Sequence, residues 1–469
     1  MYKLFCQIAL PVCCLLVGAC GGADKPAPAK DNKAQNAVGT PSSKRKMALL
    51  EGIYATSESP AYPAHLLFED KIWRTAPGTG PDEGLMLYFE EAQRIGEIKA
   101  YILDSTQREA PLHVYINGAP AGVAAFEEAF KVQEPNVPVK SLFLRIGSEL
   151  GATTSRPIRS TSDMDIEGEV FPRNASFAFS RLELRDPQGD LIQPVAPARV
   201  PASISASSTL QPASAFSPAR LFDGRKEFAW AEGNSANSGE GETIEVAFEK
   251  PTRISALRIW NGYQRSNEHF NANARVQKIN INGNTYTLND ASGSQRIALE
   301  PAFEGQKFSM AIESVYPGGK YADLVISEML FYDDDTPFVP AANAPTPKAE
   351  GALVDLLNRR IGNTVNEFAD LLTRQSLILR SDGTFVMYRS VYGGDGSDTE
   401  TAEHTVAEGN WEQQASNKVR VFGKVYNSKD VIEWYKGSSR KEFTRIFSET
   451  LEITPSKISG PGYIGVFYR

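Results

Sequence analysis

Residues 241–260 read GETIEVAFEKPTRISALRIW. Ile244, Val246 and Phe248 alternate with polar neighbours, and Leu257 and Ile259 do so again beyond the Glu249-Lys250-Pro251 break. Alternation of period two puts apolar side chains on one face of an extended chain, so the stretch predicts two strands, each half-buried. Residues 83–103, EGLMLYFEEAQRIGEIKAYIL, have the same form. Each stretch follows a related opening, ATSESPAYPAHLLFED at 55–70 and ASSTLQPASAFSPARLFDG at 206–224, and a tryptophan, Trp73 and Trp230. Each closes on a short alternating run, FSRLELRD at 179–186 and ISEMLFYDD at 326–334. An internal repeat of this kind predicts two copies of one all-β sandwich, with Trp230 in the core.

The 469 residues suffice for about three domains. At 41% hydrophobic and 23% charged residues, with 37 Gly, 29 Pro, 24 Phe and 17 Tyr, the composition suits a soluble, turn-rich, mainly β protein. Asp plus Glu (57) outnumber Lys plus Arg (49) for a net charge of −8. That balance excludes the basic footprint of a sequence-independent nucleic-acid binder. The four cysteines, Cys6, Cys13, Cys14 and Cys20, all precede residue 21. Structural disulfides, cysteine-ligated zinc and thiol catalysis are therefore not expected downstream.

The start, MYKLFCQIALPVCCLLVGAC, sets one Lys before an apolar run that ends in small residues at Cys20. Such a run is too short to span a membrane and reads as a cleaved signal over 1–19. It resembles the signal of bacterial lipoproteins, which implies a lipidated Cys20 and a lipid-anchored protein of the bacterial cell envelope, at the outer membrane; an ordinary secretory signal with an incidental Cys is the other reading. Residues 20–49, poor in large apolar side chains, are expected as a disordered tether. Pro/Ala-rich stretches predict linkers at 187–202 and 335–351, leaving sandwiches over 50–186 (a degenerate copy) and 203–334 and a third domain over 352–469. In that domain Leu353, Leu357, Ile361, Val365, Phe368 and Leu372 recur every three or four residues, which predicts an amphipathic helix. The hairpin SLILR-SDG-TFVMYR and further alternating strands follow, so the helix is expected to pack on, or plug, a small antiparallel sheet or barrel.

The ordered run ARLFDG, AWAEG, GETIEVAF, RIWNGY, FNANARV and SVYPGGKYADLVISEMLFY resembles the discoidin-like, galactose-binding-fold domain found beside bacterial NAD-glycohydrolase toxins. The resemblance covers about 203–334 and implies a jelly-roll sandwich that binds glycan through loops at one end, without catalysis. The candidate ligand residues are Asn261, Tyr263, Arg265, Asn273 and Arg275 around one turn, with Lys320, Tyr321 and Asp323 on another loop. Planar polar groups beside an apolar ring face suit sugar hydroxyls, while bracing of one loop against another accounts for Asn261, Tyr263 and Arg275 equally well. In discoidin-like folds a Ca²⁺ is often held by loop carbonyls, an Asp and a Glu, and the resemblance places Asp223 and Glu328 there; a capping role for Asp223 is the alternative. In the first copy Glu69 aligns with Asp223 and Arg181 with Glu328, which predicts a Glu69–Arg181 ion pair and no metal. In the third domain, SDGTFVMYR followed by EGNWEQ resembles the DGTF…GxW pattern of lipocalin-like lipoprotein domains.

His65, His113, His269 and His404 are scattered, and no HExxH, GxSxG or phosphate-loop pattern occurs. Asp82-Glu83 and Asp333–Asp335 read as turn or linker charges. The expectation is a non-catalytic envelope lipoprotein that recognises glycan through its second sandwich. Two other readings remain open: an assembly lipoprotein docking on protein partners, and a carrier of a small apolar ligand in the C-terminal domain.

Overall fold

The computed structural model describes residues 45–78, 83–104, 110–147, 154–159, 165–170, 176–234, 238–367, 371–394, 399–433, 437–454, 457–460 and 466–468. The expected signal, Cys20 and most of the tether lie outside the described residues. The protein is mainly β.

Both repeats fold as sandwiches, by the same route. In the first, the opening strand Arg45–Ala55 crosses from one sheet to the other. Arg45–Leu49 pair in parallel with Leu191–Val195, and Leu50–Ala55 pair antiparallel with Leu85–Phe89 across a bulge between Leu50 and Gly52. In the second, Ala198–Pro201 pair in parallel with Phe338–Ala341, and Ala202–Ala206 with Ile244–Phe248. Trp73 pairs with Phe179 and Trp230 with Ile326, and each indole N–H donates to a serine carbonyl, Ser57 and Ser208. Both tryptophans are fully buried. The alignment drawn from sequence is thus the structural one: Phe179 matches Ile326, and Arg181 matches Glu328.

The strands run through the expected linkers. Arg45–Leu49 belong to the first sandwich, not to a tether, and Leu191–Val195, Ala198–Ala206 and Thr336–Ala341 are ladder strands. Proline made these stretches look like spacers. Pro194, Pro201 and Pro340 each stand at, or one residue from, the end of a short parallel pairing, where the ladder is about to stop.

The third segment departs further. The expected helix is replaced by a 3-10 turn, Gly351–Leu356, and by strands Arg360–Glu367 and Leu371–Leu379; Phe368 lies outside the described residues. Asn358 takes a left-handed φ of 54°, which ends any helix there. Beyond it Ile361, Thr364 and Val365 are β-branched, and neighbouring strands on both sides complete their hydrogen bonds. Eight strands from Arg360 to Tyr468 form an antiparallel meander whose last strand returns against the first two. The hairpin at Ser381-Asp382-Gly383 forms as expected, with Gly383 at φ 87°. Leu353 and Leu356 of the 3-10 turn are buried in the meander's core with Trp411, Phe385 and Phe447, so a short turn does the plugging. A hairpin from the first segment, Thr154–Arg159 with Asp165–Val170, extends this sheet at its Arg360–Glu367 edge.

Ser43–Arg469 is one compact unit, held by charge as well as apolar contact. Between the sandwiches, Lys226 lies over the rings of Tyr88 and Trp260 and donates to Glu51 at 2.7 Å. Glu51 also accepts from Arg258 at 2.7 Å, and Arg258 reaches Glu90 at 2.8 Å. The C-terminal hairpin tip closes the junction: Arg225 bonds Asp382 at 2.9 Å and lies over Tyr54, touching all three segments.

Candidate functional site

The rim of the second sandwich is built from the loops around 207–217, 231–234, 238–242, 262–274 and 317–324. One half is sealed by the C-terminal sheet. Phe216 meets Phe422, Arg265 donates to Asn410 at 2.8 Å, and Glu268 accepts from the Ile446 N–H at 2.8 Å.

On that half, five of the residues expected to bind ligand are spent on the protein itself. Asn261 is fully buried; its amide donates to the Val276 carbonyl at 2.7 Å and its oxygen accepts from the Val276 N–H at 2.8 Å. Tyr263 is buried among Ala229, Ala231 and Val325, edge-on to His269, and burial raises its phenol. Arg265 donates to the Glu227 carbonyl at 2.8 Å besides Asn410. Asn273 donates to the His269 carbonyl at 2.7 Å. Arg275 holds Asp290 by two bonds of 2.7 and 2.8 Å and also donates to the Asn273 and Pro317 carbonyls. These residues brace loops, which is the alternative their chemistry allowed; Gly262, at φ 72°, packs so closely on Arg275 that a Cβ would stand 2.6 Å from it. His269 is driven down to about 3 by burial, then by the nearby charges of Arg265 and Lys424, so it stays neutral.

The other half of the rim is open. Tyr321 is 37% exposed, and the Lys320 ammonium stands 5.0 Å from its ring centre. Their loop is strapped to the 267–272 helix by Gly319, Lys320 and Tyr321 N–H groups donating to Asn271 and Ala272 carbonyls. Asp323 lies behind, its carboxyl raised by burial, beside Glu232, which is raised by burial and then by the charges of Glu242 and Asp323.

The Asp223–Glu328 pair does not fit calcium. Asp223 gives one oxygen to Arg220 at 3.1 Å and the other to the Arg225 N–H at 2.9 Å. Burial, and then the charge of Asp223, push Glu328 well above the ordinary carboxylate range, and its Oε2 has no hydrogen-bond partner among the described residues. Calcium requires about six to eight oxygens, several of them charged. Here Arg220 supplies the positive charge, and no three His, Cys, Asp or Glu side chains could hold a metal among the described residues. The predicted Glu69–Arg181 pair is also absent: Glu69 pairs with Lys71, while Arg181 pairs with Glu183 and lies 4.0 Å over Tyr101. The alignment was right, but these two side chains are exposed, and local partners are nearer.

Sequence reasoning missed Glu83. This residue, read as a turn charge, is fully buried and holds Arg380 of the C-terminal hairpin by two bonds of 2.9 and 3.0 Å. The signal was present in the repeat, because Glu83-Gly84 aligns with Glu242-Thr243 ahead of the same strand.

Residues 197–332 match the family model described as the NAD glycohydrolase translocation F5/8 type C domain, in agreement with the resemblance read from the sequence. No curated protein matches the chain. Solved structures similar to it include the family 32 CBM from C. perfringens NanJ in complex with galactose, at 15% identity and TM-score 0.22, covering 28% of this chain and 93% of that one. The CBM32-1 and CBM32-2 domains of Clostridium perfringens ZmpB in complex with GalNAc match at 11% identity and TM-score 0.22, covering 60% and 90%. A fucolectin from Morone saxatilis serum matches at 11% and 0.20, covering 59% and 94%.

Proposed function

We propose that this protein is a non-catalytic recognition protein of the bacterial cell envelope, anchored through Cys20, that binds glycan at the open half of the second sandwich's rim. The observation that carries the reading is Tyr321: an exposed ring on a strapped loop, with Lys320 and Asp323 beside it. A sugar needs an apolar face to stack on and a few fixed polar groups around it, and a rigid sandwich holds both. The discoidin-like family of residues 197–332 supports recognition rather than chemistry. The carrier reading is less well supported, since the meander's core is filled by Leu353, Leu356 and Trp411, and its surface recess is lined by polar Lys418, Ser448, Glu449 and Thr450.

The test is a glycan array probed with the multivalently displayed chain beginning after Cys20. Selective binding that Tyr321→Ala lowers about tenfold, as loss of a stacked ring of 0.5–1.5 kcal/mol or more predicts, supports the reading. Binding that survives Tyr321→Ala, or a silent array, overturns it.

A further inference from the structure

The two sandwiches present the same carboxylate in the same place, but in one copy only it is filled from within the chain. In the first, Thr56 Oγ1 bonds Glu83 and accepts from the Gly84 N–H at 2.8 Å. In the second, Ser207 Oγ bonds Glu242 and accepts from the Thr243 N–H at 2.9 Å. Backbone contacts agree as well: the Ile146 N–H donates to the Glu83 carbonyl, and the Ile312 N–H to the Glu242 carbonyl. Glu83 Oε1 and Oε2 take the guanidinium of Arg380, at the tip of a β-hairpin.

Glu242 has no such guest. It is 4% exposed, its Oε2 is held by Ser207 and Ser208, and its Oε1 accepts no hydrogen bond among the described residues. The surroundings differ in sign too. Where the first copy has Thr75 and Ser176, the second has Glu232 and Asp323. Glu232 is raised by burial and then by the charges of Glu242 and Asp323, so three carboxylates share this end of the rim.

We propose that the Glu242 recess is a receptor for an arginine side chain of a partner polypeptide, built as the Glu83 recess is built for Arg380. A guanidinium fits because its parallel N–H groups match a carboxylate held edge-on, as they do in the first copy. The additional carboxylates, Glu232 and Asp323, add negative charge that draws a cation to the recess. This inference does not rest on the glycan reading.

The probe is a cyclised peptide spanning Leu379–Phe385, which carries Arg380, titrated calorimetrically into the full chain. Binding should weaken about 10- to 100-fold in Glu242→Gln, the range that charged hydrogen bonds imply. The same loss is expected when citrulline replaces the arginine of the peptide, a change that leaves the protein's folding untouched. No binding at millimolar peptide, or equal binding of the citrulline peptide, overturns the proposal. A deacetylated glucosamine oligomer that binds through Glu242 when the arginine peptide does not would assign the recess to a sugar ammonium instead, and overturn it equally.

Discussion

Replacing Arg380 with Met tests whether the three sheets are one cooperative body. The Glu83 side chain is 0% exposed and that of Arg380 6%, with bonds of 2.9 and 3.0 Å between them. Burial alone would lower the Arg380 value, but the charge of Glu83 and its hydrogen bonds outweigh burial and raise it, so Arg380 stays charged. Met fills much of the same space but leaves the Glu83 carboxylate in a low-dielectric junction without its cation. Breaking one side of such a pair costs about 3–5 kcal/mol, whereas removing both charges is often nearly neutral. Arg380→Met should therefore destabilise by about 3–5 kcal/mol, and Glu83→Gln with Arg380→Met should recover at least about 2 kcal/mol of that. Urea unfolding followed by tryptophan fluorescence reads this directly, since Trp73, Trp230 and Trp411 sit in the three cores. A loss under about 1 kcal/mol, or strictly additive single substitutions, would refute the reasoning.

Two further outcomes follow from buried carboxylates elsewhere. Glu328→Gln should stabilise by roughly 1 kcal/mol at pH 7, because the ionised form is opposed by burial and by Asp223. A raised folded value is favourable only while the proton is held and is lost as pH rises through it, so the gain should vanish in acid. Wild type and variant should melt identically with and without a calcium chelator, and a chelator-dependent shift in wild type alone would restore the metal. Conversely, Glu51, Asp382 and Glu408 are held below their ordinary values of 4.5, 3.8 and 4.5 by Lys226, Arg225 and Lys424, respectively, despite burial. Their contribution is present above those ordinary values and lost as pH falls through the depressed ones, so small-angle scattering should show the sheets separating below about pH 4.

Much of the fold was legible because it rests on short-range pattern. Alternation in 241–260 and its echo in 83–103 marked the strands, and the shared Trp and Asp-Gly or Glu-Asp positions fixed the alignment of the copies. The C-terminal helix was misread because a spacing of three or four residues is only a weak signal when the residues are β-branched and Asn358 and Gly362 interrupt them. Strand neighbours about 200 residues distant, at 165–170 with 154–159 beyond them, complete that sheet, and no local window contains them.

The sequence by itself determined the repeat, the mainly β class and the chemistry gathered at the second rim, since composition and period are properties of neighbouring residues. Only the tertiary structure decided which of those residues face solvent. Asn261, Arg265 and Arg275 carry the same groups as a sugar site, yet their hydrogen bonds are consumed by Val276, Asn410 and Asp290. Glu83 and Glu242 are likewise equivalent in sequence. That Glu83 and not Glu242 receives Arg380 depends on where the C-terminal hairpin lands, and that is settled by contacts made across nearly 300 residues of chain.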